Sequence, residues 1–396
     1  MSWDNVKLSE VASISAGQSA PKETLFTTKK GIPFIRAGHL DFLTNGGKIL
    51  ELPTLESDIA NSEKLKLLPK GAILFAKSGM SASLNRVYLT DVDCYYVSHL
   101  ASISPSKEKL DSSFCKYFLE WYKPSQLIKD PSYPSISLED ISKIKIPLPS
   151  LPIQQKIAAI LDQADALRKK DRQLLTKYDE LLQAVFYDMF GDPVRNEKGW
   201  EKVKLKSIIR QDDKINYGVV QPGDEYKGGI PIIRVGDLEE MMVNKSNLKR
   251  ISPEIEKNYK RSRIVGDEIL IGCVGSIGTI ALADETLKGF NIVRATARVR
   301  VEEQKANRLY IANHLKTSVI QNYFIKETRT VSQPTLNISH IEETPILLPP
   351  IELQKKFASL AENIKQQKQK VKQQITQSEN LFQSLLQWAF KGELVK

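Results

Sequence analysis

Gly31-Ile32-Pro33-Phe34-Ile35-Arg36-Ala37-Gly38-His39-Leu40-Asp41 returns about 200 residues later as Gly229-Ile230-Pro231-Ile232-Ile233-Arg234-Val235-Gly236-Asp237-Leu238-Glu239. Chance does not produce a match of that length, and other pairs stand around it in the same order. Trp3-Asp4-Asn5-Val6-Lys7-Leu8 becomes Trp200-Glu201-Lys202-Val203-Lys204-Leu205. Lys70-Gly71-Ala72-Ile73-Leu74, with the turn at Gly79, becomes Val265-Gly266-Asp267-Glu268-Ile269-Leu270 with Gly275, after a one-residue slip. Pro134-Ser135-Ile136-Ser137-Leu138 becomes Pro334-Thr335-Leu336-Asn337-Ile338, and Ile146-Pro147-Leu148-Pro149 becomes Ile346-Leu347-Leu348-Pro349. The chain is one module used twice.

Inside each module, short β-branched runs are broken by Gly, Pro, Asn and Asp, and helical stretches are predicted over 112–122 and 306–324. Each module therefore reads as an α+β globular domain. After the prolines at 149 and 152, and at 349 and 350, the apolar period changes. Ile153, Ile157, Ile160, Ala164, Leu167, Asp171, Leu174, Tyr178, Leu181 and Val185 alternate steps of four and three. Leu353, Phe357, Leu360, Ile364, Gln367, Val371, Gln374, Ser378, Leu381 and Leu385 do the same. Both sets read as coiled-coil seams. The spacing predicts helices from about Gln154 to Phe190 and from about Gln354 to Phe390, each roughly 55 Å long at about 1.5 Å per residue. The expected division is a domain at 1–150, a helical spacer at 151–192, a second domain at 193–350 and a closing helix at 351–396. Antiparallel pairing is expected, because the domain between the helices must return the chain to the start of the second one. Two tandem α+β domains then stand at opposite ends of a coiled-coil rod, related by a pseudo-two-fold axis.

The formal net charge of +10 is spread over the domains, with no polybasic tail. Such an excess suits a polyanion held on shaped surfaces, where Lys and Arg displace counterions from phosphates. The chain start lacks a basic-then-apolar leader, and no apolar run approaches the roughly 20 residues that span a bilayer, so a soluble cytoplasmic protein without a membrane partner is expected. Cys94, Cys115 and Cys273 lie far apart and offer neither a disulfide framework nor a zinc knuckle. His39, His99, His314 and His340 lack metal-ligand spacing, so neither a metal nor another cofactor is expected. There is no P-loop. Leu348-Pro349-Pro350-Ile351 lacks the polar first residue that an amino-methyltransferase tetrapeptide uses to hold its target amine. Asp284 upstream of Glu303-Gln304-Lys305 is the nearest nuclease-like feature, but Glu-x-Lys recurs by composition, as at Glu225-Tyr226-Lys227. No catalytic residue is expected.

Over its whole length the chain resembles the specificity subunit of type I restriction-modification systems. The resemblance rests on elements that occur twice in order. These are Gly-Ile-Pro-x-Ile-Arg followed by Gly-x-Leu-Asp/Glu, the strand ending in a glycine turn, the Pro-Ser/Thr-Ile/Leu-Ser/Asn-Leu/Ile segment, and the proline-marked helix start with Gln-Lys-Ile/Phe-Ala. Where the family usually has Glu before Gln at the helix start, this chain has Gln154 and Leu353. The resemblance implies a non-catalytic partner of double-stranded DNA in which each domain reads one half of an asymmetric bipartite target. The helices would set the spacing and dock two DNA methyltransferase subunits and, through them, restriction/translocase subunits. Ile157, Leu161, Leu174, Leu181, Phe357, Leu360, Ile364, Leu381 and Leu385 are the candidate partner-binding positions. The competing reading is a coiled-coil adaptor that binds proteins and reads no bases.

Base readers need polar side chains on a rigid frame. Frame segments match best between the halves and loops least, as in 17–30 against 218–227 and 80–85 against 276–279. Arg36 and Arg234 sit at equivalent turns and fit either guanine or phosphate contact, or a structural salt bridge. His39 and Asp237 occupy equivalent places and differ, as readers of different half-sites would. Lys77, Ser81, Asn85 and Ser276 stand around and after the glycine turns that end the short apolar strands. Arg294, Thr296, Arg298 and Arg300 alternate with apolar residues and predict a strand with one basic face, His99 falling opposite Arg294 in the first half. Lys260 and Arg261, with Lys257 and Arg263 around Tyr259, form the densest basic cluster. Ser135, Thr335 and Asn337 stand as short hydrogen-bonding residues near Tyr133 and Gln333, equally suited to stabilising turns.

Overall fold

The computed structural model describes residues 3–27, 31–239, 241–328 and 334–395. Two units emerge, one holding residues 1–175 and 370–396 and the other 176–369. Their boundary falls inside both long helices, Leu151–Phe190 and Ile351–Lys391, so each unit owns one α+β module and one half of each helix. The sequence-based division placed the cuts at the helix ends. The units are cut differently because apolar side chains join each helix half to a module core.

In the first unit a four-stranded antiparallel sheet runs in the order Ala12–Ala16, Leu100–Pro105, Ile73–Ala76, Val87–Leu89. Ile73–Ala76 is buried at every position, as its unbroken apolar sequence requires of a central strand. A three-stranded sheet sets Ile32–Ile35 between Thr54–Leu55, antiparallel, and Tyr95–Tyr96, parallel. Asn5–Lys7 pairs with Lys145–Pro147. The second unit repeats this order. Asn216–Tyr217, Thr296–Val299, Ile269–Gly272 and Ile280–Leu282 form the larger sheet, Ile230–Ile233 lies between Lys249–Ile251 and Asn291–Ile292, and Glu201–Lys204 pairs with Pro345–Leu348. Divergence begins after the shared Gly-Ile-Pro segment, where the first unit has the helix His39–Thr44 and the second the hairpin Leu238–Glu239 with Met242–Val243.

The helix predicted over 112–122 is Ser112–Tyr122, capped by the Asp111 carboxylate, which accepts from the Phe114 amide, and ended by Lys123 in the left-handed region. The stretch predicted over 306–324 is two helices, Arg308–Leu315 and Ser318–Thr328. No Gly or Pro marks the break. Thr317 makes it by turning its hydroxyl back onto the His314 carbonyl.

Both long helices start earlier than predicted, and half of each expected seam is displaced. On the first helix burial falls on Gln154, Ile157, Leu161, Ala164, Arg168, Asp171, Leu175, Tyr178, Leu182, Val185 and Met189. On the second it falls on Gln354, Phe357, Ala361, Ile364, Lys368, Val371, Ile375, Ser378, Phe382, Leu385 and Ala389, the same positions in the repeat. The residues expected at 160, 167, 174 and 181 lie one place off this stripe, with Leu167, Leu174 and Leu181 at 47%, 39% and 46% exposure. Leu360 and Leu381 are exposed in the same way. Two stripes of equal period were apolar, and polar anchoring decided between them. Buried Gln154 accepts from the Asp111 amide and donates to the Lys109 and Pro149 carbonyls, and Gln354 does the same with Asn307 and Pro349.

Within each unit the two helix halves run antiparallel. In the first, Arg172 meets Glu379 while Arg168, earlier in its helix, lies over the Phe382 ring, later in the other. In the second, Asp179 pairs with Lys368 and Phe186 packs on Phe357. The ion pairs are themselves repeated, since Arg168–Glu379 and Lys368–Asp179 occupy matching positions with the helices exchanged. Ile157, Leu161, Phe357 and Ile364 are buried in their own unit's core, which removes them from the partner-binding candidates. Among the described residues no helix is long and apolar enough to cross a membrane.

Candidate nucleic-acid interface

Three backbone segments converge beyond the central strand of each unit and form one rigid platform. In the first unit the Lys77 amide donates to the His99 carbonyl at 2.9 Å, the Ile136 amide to the Lys77 carbonyl at 2.7 Å, and the Gly79 amide to the Pro134 carbonyl at 2.9 Å. Ser78 and Ser135 face each other across this bridge, and the Ser78 hydroxyl lies 2.8 Å from His99 Nδ1. In the second unit the Cys273 amide donates to Ala295 and the Leu336 amide to Cys273, and Val274 faces Thr335. Lys77 thus corresponds to Cys273, Ser78 to Val274, His99 to Ala295 and Ser135 to Thr335.

A fourth strand of chain enters at a glycine in both units. A Cβ on Gly17 would stand 2.1 Å from the Tyr96 carbonyl oxygen, and one on Gly218 1.7 Å from that of Ile292, so only glycine lets the two backbones approach. The next residue locks the approach. Ser98 donates its amide to Gln18 and Arg294 donates its amide to Val219, both at 2.8 Å. Arg294 therefore corresponds to Ser98, and His99 to Ala295, one place away from the alignment read off the sequence. Backbone bonding fixes this register, which side-chain similarity could not.

The structure separates the remaining candidates. Arg298 is 3% exposed and pairs with Asp213 and Glu268, and Arg300 pairs with Asp213 and Asp267. Thr296–Val299 is buried throughout, so the expected basic face does not exist; Arg298 holds a core ion cluster and cannot reach DNA. Asp237 is mostly buried and accepts from the Arg234 amide, Nε and Nη2, which satisfies its carboxylate and removes it from base reading. His39 does the same work, with Nδ1 accepting from the Arg36 amide at 3.2 Å. Burial, and then the charge of Arg36, lowers the His39 pKa below its usual value and favours the neutral ring that can accept. The difference at this position thus leaves the local role unchanged, contrary to the half-site reading. Arg36 pairs with Glu23 over the Phe26 ring, so both turn arginines are engaged in salt bridges.

Asn85 is likewise occupied: in the left-handed region, it donates to the Ser125 hydroxyl and accepts from the Ser125 amide, both at 2.8 Å, joining two turns instead of facing outward. Lys77 and Ser81 are half-buried beside the platform, while Ser135, His99 and Ser276 are exposed on it. Asn337 is exposed at a helix start with no side-chain capping bond, and Thr335 is half-buried. Lys260 and Arg261 are exposed on the turn Lys260–Ser262, whose Arg261 carbonyl is held by Arg298, whereas Arg263 is paired with Glu256. Gln333 lies outside the described residues. Sequence reading passed over Ser78, Ser98 and Gln18, for which the available signal was position next to Gly79, His99 and Gly17. Among the described residues no group of three or more His, Cys, Asp or Glu is placed to hold a metal ion.

The profile of the type I restriction modification DNA specificity domain matches residues 1–177 and again 197–378. The chain is 26% identical to the specificity subunit of the EcoBI type I restriction enzyme of Escherichia coli, across 99% of this chain and 86% of that one. It is 23% identical to the MjaIX specificity subunit of Methanocaldococcus jannaschii, across 91% and 86%. A crystal structure of the S subunit of a type I restriction-modification system from M. genitalium shares the fold, with a TM-score of 0.60 at 16% identity over 98% of this chain and 96% of that one. A second type I system structure gives 0.58 at 19% identity over 99% and 98%. Repeat, module topology, paired helices and double profile match agree: the chain belongs to the type I restriction-modification DNA specificity subunits and acts in reading a target DNA sequence.

Proposed function

We propose that each platform reads one half of an asymmetric bipartite target in double-stranded DNA, and that the long helices fix the spacing between the halves. The observation carrying this reading is that one backbone frame presents different side chains in its two copies. Ser78, Ser98, His99 and Ser135 stand where the second unit has Val274, Arg294, Ala295 and Thr335. Identical frames with different donors and acceptors specify different bases, because base edges differ in their donor and acceptor patterns. Exposed Lys260 and Arg261 suit phosphate contact, which positions without specifying. Two methyltransferase subunits dock on the helices, one per unit, with Leu174, Leu181, Leu360 and Leu381 as apolar contacts left uncovered by the fold. Restriction/translocase subunits join through them.

Selection from random duplexes by the complex assembled with its methyltransferase subunits tests the proposal. Two short defined sequences separated by a fixed undefined gap, with binding that falls steeply as salt rises, are expected. Binding without sequence preference would reject base reading, and no DNA binding would favour an adaptor.

A further inference from the structure

Arginine side chains in the second unit are mostly committed to the fold. Arg234 is held by Asp237, Arg263 by Glu256, Arg298 and Arg300 by the Asp213 cluster, and Arg308 by the carbonyls of Gly266 and Ala283. Arg294 differs from these. It is exposed, and no carboxylate pairs with it among the described residues. Its backbone is nonetheless fixed: its own amide donates to Val219, the Val293 amide to Ile233 at 3.1 Å, and the Thr296 amide to Val293 at 2.9 Å. Among the described residues the platform around it offers Val219, Val274, Ala295 and Thr335, with Tyr217 nearby spending its hydroxyl on the Leu336 carbonyl, and none of these has the reach and charge of a guanidinium. Arg261 is exposed as well, but it stands on the Lys260–Ser262 turn and not on the platform.

We propose that Arg294 reads a guanine in the second half-site, donating two parallel hydrogen bonds to guanine O6 and N7. This rests on the platform being the DNA-facing surface. A free, rigidly based fork in a setting of short and apolar side chains fits that paired acceptor geometry, and its planarity reduces the entropy lost per bond. At the same place the first unit presents Ser98, which cannot reach two acceptors at once. The preference belongs to one half-site only.

Sequence selection with the assembled complex, comparing the wild-type chain with Arg294→Ala, tests this. The variant is expected to lose guanine preference at one position of the second half-site, with the first half-site and the spacing unchanged. Affinity for the wild-type target should fall between about fivefold and about 150-fold, the range of one bidentate base contact. A second arm needs no variant. Placing 7-deazaguanine, which lacks the N7 acceptor, at that position should weaken wild-type binding and leave Arg294→Ala binding unchanged. Uniform weakening across all sequences, with guanine preference intact and the salt slope reduced by about one, would make Arg294 a phosphate contact and overturn the proposal. If the wild-type complex selects no sequence at all, the platform reading fails first and Arg294 with it.

Discussion

One pair of single-residue differences between the two modules is a matched set. His314 is 1% exposed, and its Nε2 accepts from the Leu347 amide at 2.8 Å. In the first module the position of Leu347 is Pro147, which has no amide hydrogen, and the position of His314 is Phe118, which has no acceptor. The acceptor is present only where there is a donor to satisfy. Burial lowers the His314 pKa to about 4. Between the unfolded value near 6.5 and about 4, the unfolded chain binds a proton that the folded chain does not, so stability falls as the pH drops through that window. The full loss is about 3 kcal/mol by linkage. Protection factors of amides in Arg308–Leu315, taken relative to the intrinsic exchange rate at each pH, should therefore fall from pH 7 to pH 5 more than those of amides in Ser112–Tyr122. His314→Phe should abolish the excess pH dependence and cost about 1–3 kcal/mol through the unpaired Leu347 amide. Adding Leu347→Pro should recover part of that loss. Additive losses in the double variant would contradict the account. None of this pairing was visible in the sequence alone, because Leu347 and His314 are distant in the chain and neither is unusual by itself.

At the scale of the element, the helices show how periodicity informs and misleads. Their existence and approximate length followed from seven-residue repeats flanked by prolines, and their antiparallel pairing from the domain that must return the chain between them. The choice between two apolar stripes did not, because it depends on Gln154 and Gln354 reaching backbone groups in loops more than forty residues away. The same limit applied to Arg298, whose partners Asp213 and Glu268 come from the turns that lead into other strands of the sheet. The boundary within the helices also locates a test of spacing. Asp192 follows the helix end, where Phe190 packs on Tyr310 and its carbonyl accepts from Trp200 Nε1, so added residues there would disturb the interior of the second unit. One heptad inserted after Leu175 and another after Gln369 preserves both seams and lengthens each helix by about 10.5 Å. The methylated target should gain about three base pairs between unchanged half-sites, at about 3.4 Å per base pair. An unchanged gap would show that the helices do not set it.

The whole chain is legible as a duplication because frame segments recur, the Gly-Ile-Pro stretches above all, whereas the matching of the close-approach glycines Gly17 and Gly218 and of the buried glutamines that start the helices is seen only in the fold. The side chains on the platform are legible only after the frame is known, since a one-residue shift exchanges His99 and Ser98 as the counterpart of Arg294. Two units built on one frame with different platform side chains should read DNA independently. The most direct measurement replaces residues 17–135 with the corresponding segment of a relative of different specificity and maps methylated sites in cells carrying the assembled system. One half of the target should change to that of the donor, while the other half and the gap between them stay as they were. A change in both halves together would contradict the account.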